Sequence, residues 1–544
     1  MPEIERRQLW QVICISVLVM ALSSVPYLLG YLASDADWKF GGLVIDLDDG
    51  HSHLAKMQQG AANGWRYHIL FTPEDHPGAY LNTFYVGLGQ LSSACGLSVF
   101  QTYQLARLVC GLGLLVSAYV FVSSCLEIRE QRLTAFLLIC FSSGLGWSVL
   151  LTGSATLRGL SPMDFWLMEA YTFFTLMTFP HVSAAVALLL IFFLLALGYW
   201  RSFHVGRLLL SSLVLLAICV IQPFMVLLVD VVLGFYWVSL LVLHKRIPGR
   251  EALSLMTWAL VPLPPNLYYL QAFNGDPVFR AWAAQNILPS PPPTHLVLGY
   301  GIMLLLAIVG AALAIRRRSE RMLFPIAWSM SSLLLMYAPF TLQRRMLEGV
   351  HIPLCILATV GLFEYLVPAI LRSRWLQRLQ LWHRYTRQGL RRLLVFAMVM
   401  STVPSSLFLV ARASVLAVQA DSALFYRATE IEAMDWLASN THPQATVLAS
   451  YEVGRGIPGR IGHRVFMGHF IETVEVHRKR MLAAGFFQAD TTDESRRSML
   501  SEYGIRYVFH GPSEKEMGQF DPSGAPYLKA VYRNELVTIY MVQL

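Results

Sequence analysis

With 544 residues, of which 55% are hydrophobic and only 14% are Asp, Glu, Lys or Arg, the chain lies far from the roughly 25% charged content of soluble globular domains. Its mean hydropathy of +0.51 points to a polytopic α-helical membrane protein. The net charge of +8 is carried in short loops between apolar runs, as membrane topology dictates, and this excludes nucleic acid as a partner. The seven cysteines all lie in or beside apolar segments without paired spacing, so neither a disulfide framework nor a zinc pattern is expected.

The first apolar run, residues 9–32, follows Glu3, Arg6 and Arg7 and is not trailed by a small-residue cleavage site; it is expected to stay as a membrane helix. Next comes a polar stretch, 33–78, expected as one outside loop, which gathers Asp46, Asp48, Asp49, His51, His53, Glu74, Asp75 and His76. In a chain so poor in charge this density reads either as solvated surface or as a catalytic loop at the membrane. Residues 79–97, AYLNTFYVGLGQLSSACGL, are short and rich in Gly and Ser, and are expected as a re-entrant or interfacial helix.

A membrane crossing needs about 20 apolar residues. On that rule further helices are expected at 102–126, 133–151, 171–199, 207–221, 223–243, 251–272, 295–315, 322–341, 350–371 and 390–418, about eleven passes with the first. The connections Glu127–Arg132, Arg201–Arg207, His244–Arg250, Arg316–Arg321 and Arg372–Arg392 each carry at least two Lys or Arg and are therefore placed inside. Counting 79–97 as a crossing would invert them all. The same parity divides 207–243 at Gln222-Pro223, where proline supplies the break.

The outside then receives 33–78, the loop 152–170, the loop 273–294, QRRMLEG at 343–349 and everything after about 420. Asp164 and Glu169 close the 152–170 loop just before the helix carrying Pro180-His181. They form either a second acidic site facing the first or, in the case of Asp164, a helix cap. Arg344 and Arg345 are a basic pair on the unexpected side. They suit an anionic partner such as a lipid phosphate, which arginine binds bidentately; pairing with Glu348 or with the acidic loop is the alternative. Asp230 and Glu364 stand as isolated charges within or near helix ends, where such residues face a protein interior or a polar cavity.

From residue 421 to 544 the composition becomes that of a small soluble α/β domain, placed outside by topology alone, against a membrane part at 1–420. Helices are expected at Thr429–Ser439, Val476–Phe487 and Asp493–Tyr503, strands at Thr446–Tyr451 and Tyr507–His510, and a hairpin of Lys529–Arg533 and Val537–Val542. A P-loop is absent from the sequence, which argues against a nucleotide-driven pump.

Paired acids in the first outside loop, a second acidic loop and an external arginine pair together fit group transfer from a lipid-linked donor. A carboxylate deprotonates or orients an acceptor, and positive charge or metal receives the leaving phosphate. A divalent metal on Asp48, Asp49 and His51 is an open alternative, since carboxylates and imidazoles suit several ions, although the spacing matches no specific metal motif.

The order of parts resembles the GT-C superfamily of integral-membrane glycosyltransferases, which includes protein O-mannosyltransferases, lipid A aminoarabinose transferases and oligosaccharyltransferase catalytic subunits. The resemblance rests on DLDDGHSH after the first helix, HPGAYLNTFYVGLGQL, DFWLME, QRRMLEGVHIPL and EAMDWLASNTHPQATVLASYEVG. It implies an enzyme of the plasma (inner) membrane that moves a sugar from a polyprenyl-phosphate donor to a glycan, lipid or protein acceptor on the extracytoplasmic face. Asp48 or Asp49 is then the acid, with Asp164 and Glu169 as further catalytic candidates. Arg344, Arg345 and His351 would contact the donor phosphate, and Asp46, His51, His53, Glu74, His76 and His181 the substrate. A WWDYG-type motif is missing from the terminal domain, which argues against peptide N-glycosylation. Two other classes compete. Asp230 and the break at Gln222-Pro223 are signs of a transporter or lipid flippase, and a noncatalytic envelope scaffold would make Asp48 and Asp49 replaceable.

Overall fold

The computed structural model describes residues 5–245, 247–374 and 386–544. The chain forms two compact units from interleaved segments. A helical unit comprises Met1–Ser24, Arg107–Asn266 and Leu288–Arg412, and a mixed unit comprises Val25–Ala106, Leu267–Ile287 and Ala413–Leu544.

In the helical unit hydropathy sets the elements. Among the described residues six helices are long and apolar enough to cross a membrane: Arg6–Leu32, Val99–Cys125, Pro180–Ser202, Met225–His244, Pro293–Arg316 and His351–Arg372. Arg387–Ser401 and Pro404–Val418 add a pair bent by 43°. Pro404, which lacks an N–H and pushes the residue before it out of the helical region, accounts for that bend. At the remaining expected crossings lie the shorter helices Arg129–Phe141, Val205–Ile221, Gly249–Leu260 followed by Leu263–Gly275, and Glu320–Leu335, so among the described residues six helices, or seven with the bent pair, are long and apolar enough to cross, against the about eleven passes expected. Helix Val205–Ile221 ends and Met225–His244 begins on either side of Gln222-Pro223, where the sequence places a break. The basic run Arg372–Arg392 falls largely on residues 375–385, outside the described residues.

A buried arginine that hydropathy hides holds part of this unit together. Arg107, 2% exposed, donates to Ser23 Oγ at 3.3 Å, Ser24 Oγ at 2.7 Å and the Leu176 carbonyl at 3.1 Å. A guanidinium at membrane depth needs such partners. Glu364 is ion-paired with Arg317, while Asp230 is half-buried within Met225–His244.

The mixed unit contains two sheets. Strands β1 (Trp38–Phe40) and β2 (Phe425–Arg427) pair antiparallel. Strands β3 (Thr446–Leu448), β4 (Ile505–His510), β5 (Leu528–Arg533) and β6 (Thr538–Val542) form a sheet of order β3-β4-β6-β5, parallel between β3 and β4 and antiparallel elsewhere. Helices Ala428–Asn440, Val476–Phe486 and Asp493–Glu502 lie where the residue pattern places them. The helix Tyr451–Ile461 escapes that pattern because its sequence, YEVGRGIPGRI, is dense in glycine and proline.

The expectation that 33–78 is one loop needs correction. Leu47–Ala61 is a helix of 15 residues. It is hidden from a periodicity reading because its buried face includes His51, Ser52, His53 and Lys56 as well as Leu54 and Met57, so polar and apolar residues do not separate. It packs closely on helix Thr83–Cys95, whose 13 residues fall short of a crossing. The approach is backbone to backbone: a Cβ on Gly60 would overlap the Val86 carbonyl oxygen, and one on Gly89 that of Met57.

Candidate functional site

Asp48 and Asp49 stand in the first turn of helix Leu47–Ala61, where carboxylates are favoured by the positive end of the helix dipole. Asp46 is the residue before the first turn, with φ of 51°, and its carbonyl accepts from the Gly50 N–H at 2.9 Å. The Asp48 carboxylate accepts from the Tyr451 hydroxyl and lies 3.6 Å from Arg455 Nη1. Tyr451 and Arg455 share one face of helix Tyr451–Ile461 by their spacing of four. Burial, then the Asp48 charge, push the Tyr451 hydroxyl well up, so it remains a donor.

Asp49 is held differently. His469 Nε2 lies 3.2 Å from Asp49 Oδ1, while His469 Nδ1 accepts from the Ile471 and Glu472 N–H groups, each at 3.0 Å. With the Nδ1 lone pair occupied, a ring proton sits on Nε2 and points at Asp49; burial alone would lower the imidazole, but the bond to Asp49 and the Glu472 charge outweigh it and hold it above its usual value. The two carboxylates are 30% and 29% exposed, which leaves both open to a substrate, whereas His469 is buried.

A buried network lies beneath them. Glu472 accepts from Lys56 Nζ at 3.0 Å and Ser52 Oγ at 2.7 Å through one oxygen, and from the Tyr67 hydroxyl at 2.6 Å through the other. Burial alone would raise the Glu472 carboxyl, but the Lys56 charge, then His469 and the hydroxyl donors, outweigh it and hold it below the usual carboxylate value. The helix carrying the acids is thereby tied to the segment carrying His469.

The other first-loop candidates are mostly engaged in packing. Burial, reinforced by Arg455, pushes the His51 imidazole down to about 3, and its Nε2 meets the Tyr426 hydroxyl at 3.1 Å. His53 stacks on Tyr85 at 4.0 Å between ring centres. Glu74 is ion-paired with buried Lys479 at 2.6 Å. His76 Nε2 accepts from the Ile69 N–H at 2.8 Å, and its Nδ1 lies 3.1 Å from the Glu74 carbonyl oxygen. Among the described residues no three His, Cys, Asp or Glu side chains assemble into a metal-binding group.

The second set of candidates belongs to the helical unit. Asp164, 0% exposed, accepts from the Gly146 N–H at 2.9 Å; burial, against those bonds, raises its carboxyl. That N–H is the first of the short helix Gly146–Leu150, which precedes Asp164 in the chain, so the contact is not a cap on the helix that follows it. Glu169 lies 3.5 Å from Arg344 Nε and 3.3 Å from Arg345 Nη1. Arg345 also faces Glu348 at 3.4 Å, and Gln222 Nε2 donates to the same Glu348 oxygen at 3.4 Å. Burial pushes the Glu348 carboxyl up to about 8, with Arg345 opposing and Glu169 adding. Arg344 additionally covers the Trp166 ring at 5.6 Å. His351 is buried between Ser142 Oγ at 3.0 Å and Thr172 Oγ1 at 3.1 Å, a helix-packing position. His181 stacks on Phe179 at 5.7 Å.

Sequence reasoning missed Lys56, Tyr67, Tyr451, Arg455, His469 and Glu472. His469 is 420 residues from Asp49, and the only local signal is a polar patch, GHFIET, in an otherwise ordinary domain.

No protein-family model matches the sequence, and neither does any curated protein. Among solved structures the chain is similar to ArnT from Cupriavidus metallidurans bound to undecaprenyl phosphate, with a TM-score of 0.52, 12% identity, and coverage of 96% of this chain and 97% of that one. It is similar to the Archaeoglobus fulgidus oligosaccharyltransferase AglB in complex with an inhibitory peptide and a dolichol-phosphate, with a TM-score of 0.51, 13% identity and coverage of 93% and 70%. The arabinofuranosyltransferase AftD from Mycobacteria gives a TM-score of 0.52 at 15% identity, over 99% of this chain but 40% of that one. At such identities the likeness is one of fold.

Proposed function

From a chain that has the fold of the GT-C membrane glycosyltransferases, we propose an enzyme that moves a sugar from a polyprenyl-phosphate donor to an acceptor hydroxyl or amine on the extracytoplasmic face of the plasma membrane. The observation that carries the reading is the pair of pre-oriented, one-third-exposed carboxylates Asp48 and Asp49, each fixed by side chains from a distant segment. Preorganisation of this kind is what general-base catalysis asks of a carboxylate. Asp49 is assigned as the base: the ring N–H of His469 orients it, whereas the permanent guanidinium charge of Arg455 faces Asp48. As the acceptor oxygen or nitrogen bonds to the anomeric carbon, its proton passes to Asp49. The bond from that carbon to the phosphate oxygen breaks with its electron pair, and polyprenyl phosphate leaves. Asp48 orients the acceptor. A separate part of the proposal gives Arg344 and Arg345 the donor phosphate, supported by two guanidinium groups that are 23% and 15% exposed and by their fit to phosphate oxygens.

The test uses full-length protein in lipid nanodiscs with a panel of polyprenyl-phosphate sugars. Asp49→Asn is expected to lower transfer by about 10²–10⁴-fold with retention of the lipid phosphate unchanged, while Arg344→Ala/Arg345→Ala loses that retention. Wild-type turnover in Asp49→Asn overturns the assignment of the base. Absence of lipid-phosphate retention by every form overturns the transferase and favours a transporter, flippase or scaffold.

A further inference from the structure

A cavity of about 1220 Å³ lies within the helical unit, as large as the pockets that hold small molecules and cofactors. It belongs to neither cluster of acids. Part of its lining is apolar and aromatic: Trp200 and Tyr236 stack nearly parallel at 5.4 Å, with Leu240 and Phe324 beside them in the lining. Its lining also carries four arginines, four glutamates and a histidine.

The pairing of those charges selects the ligand. Arg317 is ion-paired with Glu364 and Arg321 with Glu127, and His244 lies 3.9 Å from Glu320. Arg132, Arg201 and Glu251 make no ion pair among the described residues. Arg132, 5% exposed, directs Nε and one Nη to the carbonyls of Leu126 and Glu127 at 2.8 and 2.9 Å, so no carboxylate neutralises it. The apolar helices Val99–Cys125, Pro180–Ser202, Met225–His244 and Pro293–Arg316 all bring their C-terminal ends to the lining, and their C-terminal carbonyls bring partial negative charge. Two unneutralised cations, one unneutralised carboxylate and a set of helix C-termini in a partly aromatic lining complement a ligand that carries both signs and an apolar body. A purely anionic ligand would leave Glu251 and the carbonyls unanswered.

We infer that this cavity is a binding site for a zwitterionic phospholipid headgroup bearing a phosphate and a primary ammonium. The phosphate lies on Arg132 and Arg201, the ammonium on Glu251 and the helix-end carbonyls, and the glycerol and upper acyl carbons on Trp200 and Tyr236. A primary ammonium has three N–H donors for those acceptors, and a quaternary one has none. Basic pockets between membrane helices are established places for lipid headgroups, and the ends of apolar helices put this cavity where bilayer lipid is the abundant source. The site is independent of the role assigned to Asp49.

The experiment reconstitutes full-length protein in nanodiscs of equal phosphatidylethanolamine, phosphatidylglycerol and phosphatidylcholine, then counts retained lipid by native mass spectrometry after detergent extraction. Phosphatidylethanolamine is expected to be retained over the other two by roughly tenfold, with Arg201→Gln and Glu251→Gln each lowering it about tenfold, one charge-assisted contact apiece, and Arg201→Lys keeping most of it. Arg201 is exposed and Glu251 partly so, which spares the fold. Preference for phosphatidylglycerol, equal retention of all three lipids, or unchanged retention in both neutral variants overturns the inference. Binding of soluble glycerophosphoethanolamine by protein that retains no lipid overturns the lipid as source.

Discussion

Replacing Lys56 by methionine removes one charge while keeping the side-chain length, and the structure sets the consequence. Lys56 and Glu472 have side chains that are 3% and 4% exposed, 3.0 Å apart. Without Lys56, Glu472 keeps the Ser52 and Tyr67 hydroxyls but is a buried carboxylate that has lost its ion-pair partner, a situation that costs about 3–5 kcal/mol. Its escape is to take up a proton. From an ordinary value of 4.5, protonation at pH 7 costs roughly 3.4 kcal/mol, at about 1.4 kcal/mol per pH unit, so both routes lead to the same range. Thermal unfolding of the protein in nanodiscs, followed by tryptophan fluorescence, is then expected to shift down by roughly 6–20 °C for a domain of this size class. The double variant Lys56→Met/Glu472→Gln removes both charges and is expected to recover most of the loss, because a buried pair contributes little net stability even though breaking it is strongly destabilising. A single variant within about 0.5 kcal/mol of wild type, or a double variant no better than the single, refutes the reasoning. Because this pair ties the helix of Asp48 and Asp49 to the segment of His469, Lys56→Met is also expected to lose activity under conditions where it is still folded.

Other outcomes follow from the same geometry. Glu348, raised from 4.5 to about 8, holds its proton in the folded state where the unfolded chain has released it. Its contribution to stability is full below about pH 4.5 and is lost as pH rises through about 8. Glu348→Gln is expected to flatten that decline in unfolding experiments between pH 5 and 8, and an unchanged slope counts against the burial argument. Gly89→Val forces a side chain into a space where the Met57 carbonyl leaves no room even for a Cβ. A loss of at least about 1–3 kcal/mol is expected, and wild-type unfolding behaviour would show that the two helices do not pack as described.

Residue type alone was enough wherever a local signal agrees with its surroundings. Apolar runs of sufficient length marked the long membrane helices, Gln222-Pro223 marked a break, and alternating or amphipathic stretches after residue 421 located most strands and helices, because burial of one face there follows from hydrophobicity. Asp48 and Asp49 were legible as candidates because acids are rare in this chain. What surrounds them was not. Leu47–Ala61 buries His51, Ser52, His53 and Lys56, which is tolerated only because Tyr426, Tyr85 and Glu472 supply their partners, and no window of sequence around residue 50 contains those residues. Arg344 and Arg345 were legible as a basic pair in an unexpected place, yet their contacts with Glu169 and Glu348 depend on how a 3-10 turn meets a second loop. Polar groups are buried in proportion to the partners that reach them, and which partners reach them is a property of the folded chain.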